Sequence, residues 1–192
     1  MRVSREEAAA NRDRIVDAAT RLFRAKGFGG IGVADIMKAA DLTHGGFYGH
    51  FASKDDLVAQ ASRRTLARSA ANWQRLVAGA PDEPYAALLQ NYLSARHRDE
   101  PAHGCAFAAL STDAARSGKA VRKTFAEGLE RLIDILAQSV EGRSKAVRRR
   151  KAVAAMAGLV GALTRARAVG KAALSDEILE ATQCELLDAV DR

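Results

Sequence analysis

The stretch Gly32-Val33-Ala34-Asp35-Ile36-Met37-Lys38-Ala39-Ala40-Asp41-Leu42-Thr43-His44-Gly45-Gly46-Phe47-Tyr48-Gly49-His50-Phe51 decides the reading of this chain. In its first half Val33, Ile36, Met37 and Ala40 recur at helical spacing, so a short helix buries one face while Asp35 and Lys38 stay in water. That helix ends at Asp41, Leu42 enters a tight turn, and Thr43 offers a hydroxyl to cap a second short helix from His44 to about His50. Two helices joined in this way are the pattern of a DNA reader, in which the second lies in the major groove with its first residues at base edges and the first crosses the backbone. Thr43, His44, Gly45 and Gly46 are the candidate readers, and Lys38 stands exposed on the crossing helix.

Gly45, Gly46 and Gly49 oppose this pattern, each costing a helix about 1 kcal/mol relative to Ala. Propensity alone predicts a loop. Helical geometry here has to be imposed by packing of Leu42, Phe47 and Phe51 against neighbouring helices, while the glycines allow the backbone to approach DNA closely.

The 192 residues are enough for one large or two small domains with a real core. No apolar run approaches the roughly 20 residues that cross a bilayer, and the N-terminus from Met1 to Glu7 is polar and leads directly into a helix, so the expectation is a protein of the cytoplasm with no membrane partner. Cys105 and Cys184 are too few for a disulfide framework, and no metal-ligand spacing is present, so both read as free thiols with no metal site and no cofactor.

The net charge is +7, which favours a polyanionic partner. Residues 1–60 carry only +1, residues 61–80 carry +4, and residues 143–171 hold nine Lys and Arg with no Asp or Glu. The last cluster reads either as a solvated helix face or as a surface for DNA or an anionic ligand. At the head of a helix it opposes the macrodipole by a few tenths of a kcal/mol, a reason to look for an anionic neighbour.

Along the chain, Ile15, Ala18, Ala19, Leu22 and Phe23 form one stripe of a helix over residues 6–26, ended by Gly27. Ser53 caps a helix of about 25 residues whose first turn holds Asp55 and Asp56, stopped by Gly79 and Pro81. Further helices are predicted over residues 84–97, 104–116, 119–140, 144–169 and 175–191, giving an all-α fold of about nine helices with no strand. The last two carry apolar faces, Val153, Met156, Ala157, Val160, Leu163 and Ala166, then Ile178, Leu179, Thr182, Leu186 and Val190. They fit either burial within one domain or a two-fold four-helix interface.

Several motifs together resemble the TetR family of transcriptional regulators. They are Arg14-Ile15-Val16-Asp17-Ala18-Ala19, Leu22-Phe23-Arg24-Ala25-Lys26-Gly27-Phe28, Val33-x-x-Ile36, Ala40-x-Leu42-Thr43, Gly46-Phe47-Tyr48-Gly49-His50-Phe51 and Ser53-Lys54-x-x-Leu57. The resemblance implies a helix-turn-helix DNA-binding domain over residues 9–69 and a helical effector-binding and dimerisation domain over residues 70–192. It also implies a homodimer through the last two helices, a palindromic double-stranded DNA operator, a small-molecule or electrophile effector, and repression as the usual outcome. Thr43, His44 and Gly45 match the start of the family's recognition helix, Tyr48 a phosphate-contacting tyrosine, Lys54 a position whose amine or backbone amide meets phosphate, and His50 a position that props the recognition helix. The chain departs from the family at Ile31 and Gly32, where small hydroxyl residues are common, which puts one backbone contact in doubt.

For an effector pocket the bulky residues available are Trp73, Tyr85, Tyr92, His97, His103, Phe107 and Phe125; with few aromatics in the chain, its lining would be mainly Ala, Leu and Val. Cys105 follows Gly104 at the head of a helix with His103 adjacent, a setting that lowers a thiol pKa. Certain TetR-like regulators sense electrophiles or oxidants in a similar setting, making Cys105 a candidate sensor thiol beside its ordinary reading as a small buried hydrophobe. Paired carboxylates, a Ser-His-Asp or Cys-His set and a phosphate loop are all absent in usable context, so no catalytic residue is assigned and an enzyme is not expected. A non-specific architectural DNA binder is the remaining rival, favoured by the charge and disfavoured by the neutral reading head.

Overall fold

The computed structural model describes residues 4–191, with side chains described through residue 189. Every regular element among them is helical, and among the described residues no helix is long and apolar enough to cross a membrane. Helix α1 (Arg5–Lys26) opens where the Ser4 hydroxyl accepts the Glu7 N–H at 3.1 Å, with Glu6 and Glu7 at its positive end, and it buries Ile15, Val16, Ala18, Ala19 and Phe23. Gly27 ends it at φ 75°, its N–H returning to Phe23 O at 2.8 Å. After α2 (Val33–Ala39) and a 3-10 segment (His44–Gly49) comes α3 (Lys54–Gly79), capped by Ser53 and buried along Leu57, Val58, Ala61, Leu66 and Trp73. Helix α3 runs unbroken through residues 69 and 70.

The body adds α4 (Pro84–Tyr92), α5 (Ala95–Asp99), a 3-10 turn (Pro101–His103), α6 (Ala106–Ala115), α7 (Lys119–Ser139), α8 (Lys145–Ala168) and α9 (Ala173–Asp191). The single helix expected over residues 84–97 is two. Tyr92 ends the first, and Ser94 starts the second by accepting the His97 N–H at 3.2 Å, so a hydroxyl competing for backbone donors breaks an otherwise helical apolar pattern.

Helix α7 lies along α3 with Gly128 facing Leu66; a Cβ there would come within 2.7 Å of Leu66 Cδ1, so glycine sets the close approach. Helix α8 then packs on α7, and α9 on α8. The buried side of α8 is Ala152, Ala155, Met156, Leu159, Ala162, Leu163 and Ala166. Two residues of its expected apolar face, Val153 and Ala157, are exposed, which makes the helix apolar inside and outside. On α9 the face is half-buried at Ile178, Thr182 and Leu186 and buried at Leu179; Val190 lies outside the described side chains.

Candidate nucleic-acid interface

The reading head is built by a helix stop that uses aspartate in place of glycine. Asp41 sits at φ 56°, with its N–H on Lys38 O at 3.1 Å and the Leu42 N–H on Met37 O at 3.0 Å, the pair of bonds that closes a Schellman motif. Asp is among the few side chains that tolerate this left-handed backbone. The turn reverses the chain and leaves Leu42 half-buried.

The second element of the head is not the α-helix expected. His44–Gly49 is a 3-10 helix, and Thr43, its N-cap residue, makes no side-chain capping bond, which leaves the hydroxyl exposed. Three glycines cost about 3 kcal/mol of helix propensity, while burying Phe47 and Phe51 returns about 2 kcal/mol or more each. Helical backbone therefore persists, in the tighter form that a short segment tolerates. Phe47 is fully buried, stacked on Phe51 at 5.5 Å with 28° between the rings, and edge-on to Tyr48 at 5.2 Å.

That frame turns one face outward. Thr43, His44, Gly45, Gly46 and Gly49 are exposed, and Tyr48 is 72% exposed, the largest apolar side chain left in water on the head. A Cβ added at Gly45 or Gly49 would meet nothing within 4 Å, and neither has positive φ, so the fold itself does not require glycine at these two positions. Lys38 is exposed on α2, and His50 is half-buried with its ring 6.4 Å from Phe51.

Lys54 is already engaged. Its Nζ donates to Ile31 O at 2.7 Å, tying the first turn of α3 to the loop before α2. Its ammonium keeps two further donors, and the Lys54 backbone amide is not taken by the Ser53 hydroxyl, which accepts the Asp56 N–H instead. At Gly32 the missing hydroxyl is matched from the other side: the Gly32 N–H donates to Asp35 Oδ2 at 3.4 Å.

Sequence reading missed Arg12. Its guanidinium carbon lies 4.8 Å from the Phe51 ring centre, a cation–π contact that places a positive charge at the edge of the head. Arg12 opens a groove between α1 and α3 that continues past Arg63, Arg64 and Arg68. Arg64 pairs with Asp13 and Asp17 there, and Arg68 with Asp17 at 2.8 Å. The Arg64 guanidinium holds the Asp13 carboxyl below the usual carboxylate range.

Alongside apolar packing such as Phe28 on Phe125, two hydrogen-bonded connections join the head to the body. The Phe28 N–H donates to Asp113 Oδ2 at 3.3 Å. Arg24 Nη1 donates both to Thr65 Oγ1 at 2.8 Å and to Gly104 O at 3.2 Å, just before Cys105.

In the body, Trp73, Tyr92, Phe107 and Phe125 are all buried, with Trp73 edge-on to Tyr92 at 6.0 Å and Phe107 edge-on to Phe125 at 5.4 Å. His103 does not join them, because its 3-10 turn holds it exposed. The histidine beside Cys105 is His97: its Nε2 accepts the Cys105 N–H at 2.9 Å, which leaves the proton on Nδ1 to donate to Tyr92 O at 2.7 Å. Burial pushes the His97 pKa down, so the ring facing Cys105 is neutral. Cys105 is 6% exposed and is the N-cap residue of α6. Arg24, Arg167 and the buried Tyr92 hydroxyl all lie close enough to interact with its sulfur.

A short helix, a tight turn and an outward-facing second helix on a helical body define a helix-turn-helix protein. Residues 15–61 match the family described as bacterial regulatory proteins, tetR family. The chain is 39% identical over 59 residues to the HTH-type transcriptional regulator AcrR of Shigella flexneri, covering 31% of this chain and 27% of that protein. It is 28% identical over 114 residues to the HTH-type transcriptional repressor DhaR of Mycobacterium sp. (strain GP1), covering 58% of this chain and 56% of that one. The matches thus span about a quarter and just over half of those relatives. The fold extends further: a TetR transcriptional regulator from Chloroflexus aurantiacus J-10-FL superposes with a TM-score of 0.80 at 21% identity, over 97% of each chain.

Proposed function

We propose that the protein is a sequence-specific DNA-binding transcriptional regulator, acting as a repressor at a palindromic operator and released by a small-molecule or thiol-reactive signal. The observation that carries this reading is the exposed face of Thr43, His44, Gly45 and Tyr48, held outward by the buried Phe47–Phe51 stack at the end of a Schellman turn. Thr43 and His44 are the base readers, Tyr48 and the Lys54 amide the phosphate contacts, and the unit over residues 9–69 is the DNA-binding domain. The relatives named as a regulator and a repressor support the same role.

A homodimer is part of the proposal, since a palindrome read by two heads needs a two-fold axis. The outer face of α8, with Val153 45% exposed beside Ala154 and Ala157, supplies apolar surface beyond what the core uses. Selection of bound DNA from a random pool tests the reading. An enriched palindrome, bound about a thousandfold more tightly than random duplex at fixed salt, is the expected result. Equal affinity for both would leave an architectural binder and remove the repressor.

Cys105 is the candidate for the thiol-reactive branch of the signal. Its position supports this: it adjoins the Gly104 carbonyl on which Arg24 of the DNA-binding unit rests, so a group added to the sulfur would disturb that seat. Treatment with a quinone or hypochlorite is expected to lower operator binding in the parent protein and not in Cys105→Ser. Unchanged binding by protein shown by mass spectrometry to be modified at Cys105 refutes the role.

A further inference from the structure

Most of the chain's positive charge lies away from the reading head. Residues 32–54 hold Lys38 and Lys54 against Asp35 and Asp41 and are neutral. A cleft of about 1210 Å³ between the last turns of α7 and the first turns of α8 is lined by Arg143, Lys145, Arg148, Arg149, Arg150 and Lys151 against only Asp134 and Glu141, a net +4 of the chain's +7.

The cleft is at the opposite pole of the body. Phe125 of α7 touches Phe28 of the DNA-binding unit, with ring centres 6.5 Å apart, and 14 residues of α helix then carry α7 about 21 Å onward to Ser139. Helix α8 returns, so that Arg167, about 33 Å along it from Lys145, reaches the His97 carbonyl at 2.6 Å near the Gly104 seat. Both helices thus place the cleft at their far ends from the contacts with the N-terminal unit.

One wall of the cleft is fixed. Arg149 is held by Glu130 at 2.8 Å and Asp134 at 3.3 Å. Arg148 folds back to donate to Gly142 O at 3.2 Å, over a glycine where a Cβ would come within 3.0 Å of Arg148 Cγ. Arg143, Lys145 and Arg150 are exposed on the rim, and none makes an ion pair among the described residues. Clustered like charges repel, and guanidinium forks match phosphate and carboxylate in pairs of bonds. At about 1210 Å³ the concave space is somewhat larger than the roughly 300–1,000 Å³ of most small-molecule sites, so it has room for an extended ligand, and a convex DNA rod does not complement it.

We infer that this cleft binds a small polyanion, a molecule bearing two or more phosphate or carboxylate groups, on the side of the body remote from DNA. This does not depend on the repressor reading. Inorganic tripolyphosphate and citrate serve as probes in isothermal titration of the full chain at 0.15 M salt. Saturable binding of one probe molecule per chain is expected, weakened at least about tenfold in Lys145→Glu/Arg150→Glu and unchanged in Arg63→Glu, a charge reversal in the other arginine groove. Tighter tripolyphosphate binding assigns the natural ligand to phosphates, and tighter citrate binding to carboxylates. Should the reversal double variant unfold, Arg143→Ala/Lys145→Ala, both on the exposed rim, is expected to give the same direction of change. No saturable binding, binding equally weakened by Arg63→Glu, or loss of duplex binding alone in the cleft variants overturns the inference.

Discussion

Arg24 of α1 donates to the Gly104 carbonyl at 3.2 Å, so the N-terminal helical unit rests on the residue immediately before Cys105. The seat is crowded from the other side: a Cβ at Gly104 would come within 2.6 Å of Arg167 Nη2 and 2.9 Å of the His97 ring. Gly104→Ala must push both away, and overpacking of this kind costs about 1–3 kcal/mol. Thermal unfolding is expected to show a lower midpoint for Gly104→Ala, and an unchanged midpoint would mean that the seat has slack.

His97 makes stability depend on pH. Its folded pKa is depressed by burial below the ordinary 6.5, so in the window between the two values the unfolded chain binds a proton that the folded chain does not. The contribution is full above pH 6.5 and is lost as pH falls through that value toward the folded pKa. Unfolding followed from pH 8 to 5.5 is expected to show a decline that is shallower in His97→Gln; parallel curves would remove His97 as the cause.

What the sequence disclosed was local. Ser53 before Asp55 and Asp56, Gly27 after Lys26, and the periodic Val33, Ile36, Met37 and Ala40 each state their structure within one or two turns, and α1, α2 and α3 follow them. The motifs of residues 14–57 carried the resemblance for the same reason, and the family match falls on residues 15–61. What stayed hidden depends on distant partners. Arg12 and Phe51 are 39 positions apart in the chain, so no spacing announces their contact. Adjacency favoured His103 as the neighbour of Cys105, whereas the turn at Pro101 turns it to solvent and folds His97 back instead. Ser94 was readable as a helix start but sat inside a run of Leu88, Leu89, Tyr92 and Leu93 whose period pointed the other way.

The glycines of the head separate fold from function. Gly45→Ala meets no atom of the protein within 4 Å and needs no unusual φ, so it is expected to be neutral or stabilising by up to about 1 kcal/mol. If the backbone approaches DNA there, operator affinity falls at least about tenfold, a loss of 1.4 kcal/mol. Unchanged affinity, measured with the unfolding midpoint, would place Gly45 outside the interface.

His44 and Tyr48 stand on one exposed face but are assigned different roles, and their variants should fail differently. His44 is the first residue of the 3-10 helix that Phe47 anchors and is exposed there, so His44→Ala is expected to relax preference at one base position, with about 1–3 kcal/mol of discrimination lost. Tyr48 stands edge-on to Phe47, which fixes the ring while leaving it 72% exposed. Tyr48→Phe keeps that packing and removes only the hydroxyl, so binding should weaken to a similar degree on operator and random duplex. Affinities for the operator, its single-base variants and random DNA decide between the two patterns. Identical profiles for the two variants would show that neither residue has the role assigned to it, and that specificity rests on Thr43 and DNA shape.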